Sequence, residues 1–192
     1  MNIVTVYGSP TPPGKLARGL DLLERAFHEA SPESSVQRIS PAPTEQFVVG
    51  SWAPSAVETI AAADVVVFAS PVFRASMTGT LKLLIDMIPV EALRSTPVGI
   101  MTVGAAPQHC FSAERHLRDT LSWFGALIAP NSLFFVDTVF AEQHVDSQTS
   151  SDLSEFTQQM IELSRRTAGL ELGPEPLTLR FQKLTGSRPA HS

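Results

Sequence analysis

The first side chains able to do chemistry in this 192-residue sequence are Ser9, Thr11 and Lys15, within Gly8-Ser9-Pro10-Thr11-Pro12-Pro13-Gly14-Lys15. A β-rich run, Asn2 to Tyr7, precedes them. A helical pattern follows, with Leu16, Leu20, Leu23, Ala26 and Phe27 on one face. A strand, a Gly/Ser-rich turn and a helix start together present backbone N–H groups and the positive end of a helix dipole to an anion. Ser9, Thr11, Lys15 and Leu16 are thus the expected holders of a phosphate, with no metal required. The magnesium-nucleotide loop G-x-x-x-x-G-K-[ST] does not fit. Gly8 and Gly14 are one residue too far apart, and Leu16 stands where a hydroxyl must be. The dinucleotide pattern G-x-G-x-x-G is absent as well.

A second polar cluster, Arg74, Ala75, Ser76, Thr78 and Gly79, lies between a strand pattern and a helix pattern. Val65, Val66, Val67 and Phe68 form a short apolar β-branched run of the kind buried on both faces of a parallel sheet. Ser70-Pro71 stops it. From Met77 onward, Leu81, Leu84, Ile85 and Ile88 recur at helical spacing. A third small-residue turn, Gly104-Ala105-Ala106, follows the run Val98 to Val103. Small residues there allow close approach of backbone to a ligand.

The positioning elements follow from the rest of the chain. Ser35 to Ile39 reads as a second strand. The Pro-rich stretch 40–54 reads as a loop whose Phe47, Val48, Val49 and Trp52 pack either on the core or on another subunit. Ser55 to Ala63 reads as a helix with Ser55 and Glu58 forming a capping box. A fourth helix is expected from about Phe111 to Phe124. The fifth strand is Leu133 to Val136, with Thr138 to Phe140 extending its edge. From Asp146 the chain turns polar through Asp152, and a last amphipathic helix then runs to about Arg166 with Phe156, Met160, Ile161 and Leu163. The domain is thus 1–168, and 169–192 is a tail or an arm. Alternating strands and helices predict an α/β fold with a five-stranded parallel sheet, order 2-1-3-4-5. In that order the turns after strands one, three and four meet at one rim.

Composition excludes several classes. The net charge of −5 gives no basic footprint for nucleic acid. One cysteine, Cys110, excludes an internal disulfide framework and a cysteine metal cluster. No apolar run is long enough to span a bilayer and no signal peptide precedes the first strand, so a cytoplasmic location is expected.

Ser70-Pro71-Val72-Phe73, Ser76, Gly79, Leu81, Lys82 and Asp86 resemble the S/T-P-V-Y-x-x-S-x-x-G-x-L-K-x-x-x-D signature of the NADPH-dependent FMN reductase family. Phe73 replaces the usual tyrosine. Within the family the pattern is most similar to flavin reductases serving two-component sulfonate monooxygenases. The resemblance implies a flavodoxin-like three-layer sandwich, FMN and NADPH (or NADH) as cofactors, and a homodimer or homotetramer. It implies that Pro71, Val72, Phe73, Arg74 and Ser76 frame the ribityl chain and ring, with Gly104 and Ala105 on the far side. Arg74 and Arg18 are candidates for the nicotinamide dinucleotide's phosphates, and His109 for a contact with flavin, nicotinamide or a neighbouring subunit. Arg115 or His116 falls where some relatives insert a tyrosine at a subunit interface. No catalytic acid or base is implied, because the chemistry belongs to the cofactors.

The phosphate loop departs from the family, which reads G-S-x-x-x-x-S-R-S/T where this chain ends in Gly14-Lys15-Leu16. Two hydroxyl donors are missing, each worth about 1.5–3 kcal/mol toward a charged group. The expectation is FMN held weakly, as a transient substrate, unless Ser9, Thr11 and backbone amides compensate. Three rivals stay open. One is a flavoenzyme that retains FMN and reduces quinones, azo dyes or metal oxyanions. The others are a flavodoxin-type electron carrier and a non-catalytic flavin-binding module.

Overall fold

The long apolar runs form the middle of a parallel sheet. The computed structural model describes residues 1–42, 44, 49–140 and 144–185. Strand β1 (Asn2–Tyr7) is followed by helix α1 (Lys15–Ala30), β2 (Ser35–Ile39), α2 (Ser55–Ala61) and β3 (Val65–Pro71). Then come α3 (Gly79–Met87), β4 (Pro97–Gly104), α4 (Ser112–Ser122), β5 (Leu127–Ile128), β6 (Leu133–Val136), α5 (Ser147–Thr167) and α6 (Leu177–Thr185). The order β2-β1-β3-β4-β5 is parallel throughout. Strands β3 and β4 are buried along almost their whole length, as largely apolar runs covered on both faces must be.

Alternation along the strands sorts the core into two layers. Val65, Val67 and Ala69 face α1 and α5, where Leu20, Leu23, Phe27, Phe156 and Met160 pack. Val66 and Phe68 face the other way, onto Ile60, Leu81, Leu84, Leu117 and Leu121. The result is the flavodoxin-like three-layer sandwich.

The fifth position of the sheet is shared by two short strands. β5 pairs with Pro97 and Val98, and β6 pairs with Met101 to Gly104, both parallel to β4. Pro130, which has no N–H for the ladder, lies in the break. Arg118 donates to the Ala129 carbonyl there at 3.0 Å.

Three local expectations are corrected. Residues 137–140 form a short 3-10 helix rather than more strand. Ser55 opens α2 without a side-chain capping bond, because the cap position belongs to Pro54. Helix α3 starts after Thr78, whose hydroxyl accepts from the Leu81 N–H. Trp52 is buried and donates to the Thr80 carbonyl at 2.8 Å, so that end of the long loop packs on the core. Phe47 and Val48 lie outside the described residues. After α5, the Leu172 N–H donates to Ser95 Oγ and Glu171 pairs with Arg94, which brings α6 against the short 3-10 helix Val90–Leu93.

Candidate functional site

The rim of the sheet is built by turns that are tied to one another. Where β1 ends, the Gly8 N–H donates to the Ala69 carbonyl at 2.8 Å. A Cβ at Gly8 would stand 2.5 Å from that carbonyl and 2.8 Å from Leu81 Cδ2, so only glycine fits. The Thr78 hydroxyl donates to the Gly8 carbonyl while it caps α3. One buried side chain therefore joins the first turn to the helix after the second.

Within the first turn, Ser9 is buried and its Oγ is 2.8 Å from Thr11 Oγ1. The Thr11 N–H points to Ser9 Oγ at 3.3 Å, and Tyr7 donates its hydroxyl to the Thr11 and Pro12 carbonyls. Pro10, Pro12 and Pro13 remove three amide donors, leaving those of Ser9, Thr11 and Gly14. Helix α1 starts at Lys15 with no side-chain cap and no acidic residue in its first turn. Its leading N–H groups and positive dipole end therefore face the turn without a side-chain acceptor. Lys15 is exposed and pairs with Asp137 Oδ2 at 2.8 Å. Leu16 turns its side chain into the core, so its possible contact with an anion is through its backbone. Arg18 donates from Nη1 to the Phe140 carbonyl at 2.7 Å.

The second turn rides on the end of β4 through Val72 N–H donating to the Val103 carbonyl at 2.8 Å. Phe73 and Ser76 then exchange two backbone bonds, at 2.8 and 3.0 Å. The residues between them, Arg74 and Ala75, have φ of +49° and +60°. Two successive positive values are the signature of a type I′ turn, normally filled by Asn-Gly. This is a left-handed kink without glycine, and it pushes Phe73 outward. The Phe73 ring is exposed, with the Arg74 guanidinium 5.8 Å from its centroid. Ser76 Oγ lies 2.9 Å from His116 Nδ1, which links the turn to α4. A groove of about 460 Å³ opens beside it, lined by Ser76, Met77, Thr78, Gly79, His116 and Asp119 among others.

At the third turn Gly104 is buried and pairs with Val136 of β6. A Cβ there would lie 3.0 Å from both His109 Cβ and the Phe134 ring. The space over Gly104 is thus tight against side chains of the protein itself. Ala105 is exposed at the mouth, and His109 is half-buried in the short 3-10 helix Pro107–His109.

The three turns thus lie after neighbouring strands, as the topology requires. The donor set at the first fits a phosphate monoester: two hydroxyls, a few amides, a helix start and an ammonium. Pro71, Val72 and Phe73 offer apolar surface to a flat ring. Among the described residues no group of three or more His, Cys, Asp or Glu could hold a metal ion. In the sequence Thr78 stands in the second polar cluster and His116 at an interface position, but neither their contacts at the rim nor any part for Asp137 is visible there. Thr78 carries a detectable signal, a hydroxyl at the cap of a helix. Asp137 carries none, since its partner is 122 residues away.

Residues 1–141 match the family described as NADPH-dependent FMN reductase. The chain belongs to this family. Among curated members, it is 30% identical over 109 residues to an NAD(P)H-dependent FAD/FMN reductase of Geobacillus thermodenitrificans, covering 56% of this chain and 59% of that one. It is 33% identical over 92 residues to the NADH-dependent FMN reductase SfnF of Pseudomonas fluorescens, covering 48% and 49%. In these two alignments the chain spans only about half the length of its relatives. An FMN reductase (NADPH) of Escherichia coli aligns more fully, at 24% identity over 80% of this chain and 82% of its own. Among solved structures, an NADH:FMN oxidoreductase in its apo form superposes with a TM-score of 0.70, 23% identity and 91% of each chain covered. An archaeal flavodoxin superposes at 0.62 with 12% identity over 86% of this chain. At such identities the superpositions establish the fold.

Proposed function

We propose that this chain is an NAD(P)H-dependent FMN reductase that passes reduced flavin on to a partner monooxygenase in the cytoplasm. The observation that carries the reading is the rim itself. A phosphate-suited turn is tied through Thr78 to a kinked turn presenting Phe73, in a chain whose first 141 residues match the family. FMN, when bound, supplies the hydride-accepting ring atom N5 and the redox chemistry. The chain's own residues have binding and alignment to do. Ser9, Thr11, the amides at the start of α1 and Lys15 hold the phosphate. Pro71, Val72, Phe73, Arg74 and Ser76 frame the ribityl chain and ring, and Gly104 and Ala105 close the far side. Arg74 meets a dinucleotide phosphate, a role its exposure in the turn supports. The relatives SfnF and SfnE are named NADH-dependent FMN reductases, which supports NADH as a donor beside NADPH.

Two features favour FMN as a substrate that comes and goes. The prolines strip amides from the first turn, and Gly14-Lys15-Leu16 lacks the family's hydroxyls. The test follows oxidation of NADH and of NADPH with and without added FMN. Turnover that requires added FMN is the expected result. Failure to oxidise either nicotinamide in the presence of FMN would sink the proposal. Protein that stays yellow through gel filtration would instead favour the flavin-retaining reductase.

A further inference from the structure

We infer that Asp137 is a built-in counter-anion at the phosphate turn, which weakens FMN binding specifically and narrows the preference for FMN over riboflavin. This rests on the reading above, in which Gly8 to Leu16 receives the flavin phosphate. Lys15 is the ammonium at that turn, and its Nζ lies 2.8 Å from Asp137 Oδ2. The carboxylate comes from a distant stretch, the short 3-10 helix Asp137–Phe140 that follows β6.

That stretch is fixed in place. Phe140 is buried, meets Phe135 edge-on at 5.3 Å, and packs close over Gly19 of α1. Its carbonyl receives Arg18 Nη1 at 2.7 Å. Residues 137–140 therefore occupy both cationic side chains of the first turn of α1: Lys15 through a carboxylate, Arg18 through a carbonyl. Asp137 is held at its post by neighbours that do not themselves need the ion pair.

A phosphate arriving at the start of α1 meets this carboxylate in two ways. It must share or displace Asp137 on Lys15, and it experiences repulsion from a fixed like charge a few ångströms beyond. Riboflavin has the same ring and ribityl chain without the phosphate, so neither effect touches it. Asp137 thus acts on affinity through charge and through one part of the ligand. Because Lys15 and Asp137 are both partly exposed, salt screens the effect. For a chain delivering reduced flavin to another protein, a weakened hold on the phosphate favours release.

The experiment measures dissociation constants for FMN and riboflavin by quenching of flavin fluorescence, at low and high salt. The variants are wild type, Asp137→Asn, Lys15→Gln and the double variant, with Asp137→Ser as a second neutral replacement. Each is first checked for unchanged thermal unfolding. Asp137→Asn and Asp137→Ser are expected to tighten FMN roughly fivefold at low salt and less at high salt, leaving riboflavin unmoved. Adding Lys15→Gln should erase that gain. Equal tightening of both flavins, or no change in FMN, overturns the inference while leaving the phosphate reading standing. If no variant and no wild-type protein binds FMN, the phosphate reading falls and this inference with it.

Discussion

Arg74 and Ala75 hold a conformation that side chains with a Cβ avoid, because the Cβ crowds the following carbonyl. Nothing in their own chemistry favours it. The flanking pair of backbone bonds between Phe73 and Ser76, and the Ser76–His116 contact, hold it there. Local strain of this kind costs about 1–3 kcal/mol per residue and persists where surroundings over-determine it. Ala75→Gly should therefore stabilise the protein by up to about 1 kcal/mol, since glycine takes positive φ freely but gains freedom when unfolded. A higher urea midpoint at unchanged m-value is the expected sign. If Ala75→Gly lowered the midpoint, the strain argument would be wrong. Thr78 is the opposite case, a residue whose hydroxyl satisfies two buried backbone groups. Thr78→Val keeps the shape and leaves the Gly8 carbonyl and Leu81 N–H without that partner. The expected cost is roughly 1–3 kcal/mol, together with weaker FMN binding, and Thr78→Ser should restore most of both.

Among the elements, α5 shows how a pH dependence is written into an end. Asp146 caps it by accepting from the Thr149 N–H at 2.7 Å. That backbone bond, helped by further bonds at the same cap, holds the Asp146 carboxyl below the ordinary carboxylate range. A carboxyl whose folded pKa is depressed stabilises the fold above its unfolded pKa, and the contribution disappears as pH falls through the folded value. Asp146→Ala should thus lower Tm by roughly 2–4 °C near neutrality, with the gap to wild type closing in acid. A gap that stays constant with pH would show that the cap's charge does nothing. The short apolar runs from Val65 and Val98 marked β3 and β4 in the sequence, whereas the cap at Asp146 lay inside a polar stretch that did not announce it. The turns of the site were legible too, since chain order alone puts them after neighbouring strands. The edge of the sheet was legible only in part, in Leu133–Val136, which is β6. Leu127–Ile128 is too short to show a period, and Thr138-Val139-Phe140 carries strand-favouring residues whose buried Phe140 anchors a 3-10 turn instead. Lys15–Asp137 was invisible because no local pattern pairs residues so far apart.

For the whole molecule, the surface over α3 and α4 carries more apolar bulk than a free face needs. Trp123 is 60% exposed and Phe111 74%, with Leu83 and Met87 also open. Between the helices runs a groove lined by Lys82, Ile85, Asp86, Asp119, Thr120 and Trp123. It continues past Asp119 and Thr120 to the Ser76–His116 contact at the rim. Large apolar side chains left open beside charged ones are the pattern of a surface that another protein covers. A second copy of the chain is the expected occupant, giving the homodimer or homotetramer. Indole rings seated at the centre of an interface commonly contribute 2 kcal/mol or more. Trp123→Asp should then weaken self-association by about thirtyfold or more, and shift the mass measured by light scattering toward the monomer. Because α4 holds Ser76 through His116, the same variant should also loosen FMN binding as the oligomer dissociates. Flavin affinity that follows the assembly state across a dilution series would tie rim and interface together. A wild-type protein that scatters as a strict monomer at high concentration would separate them.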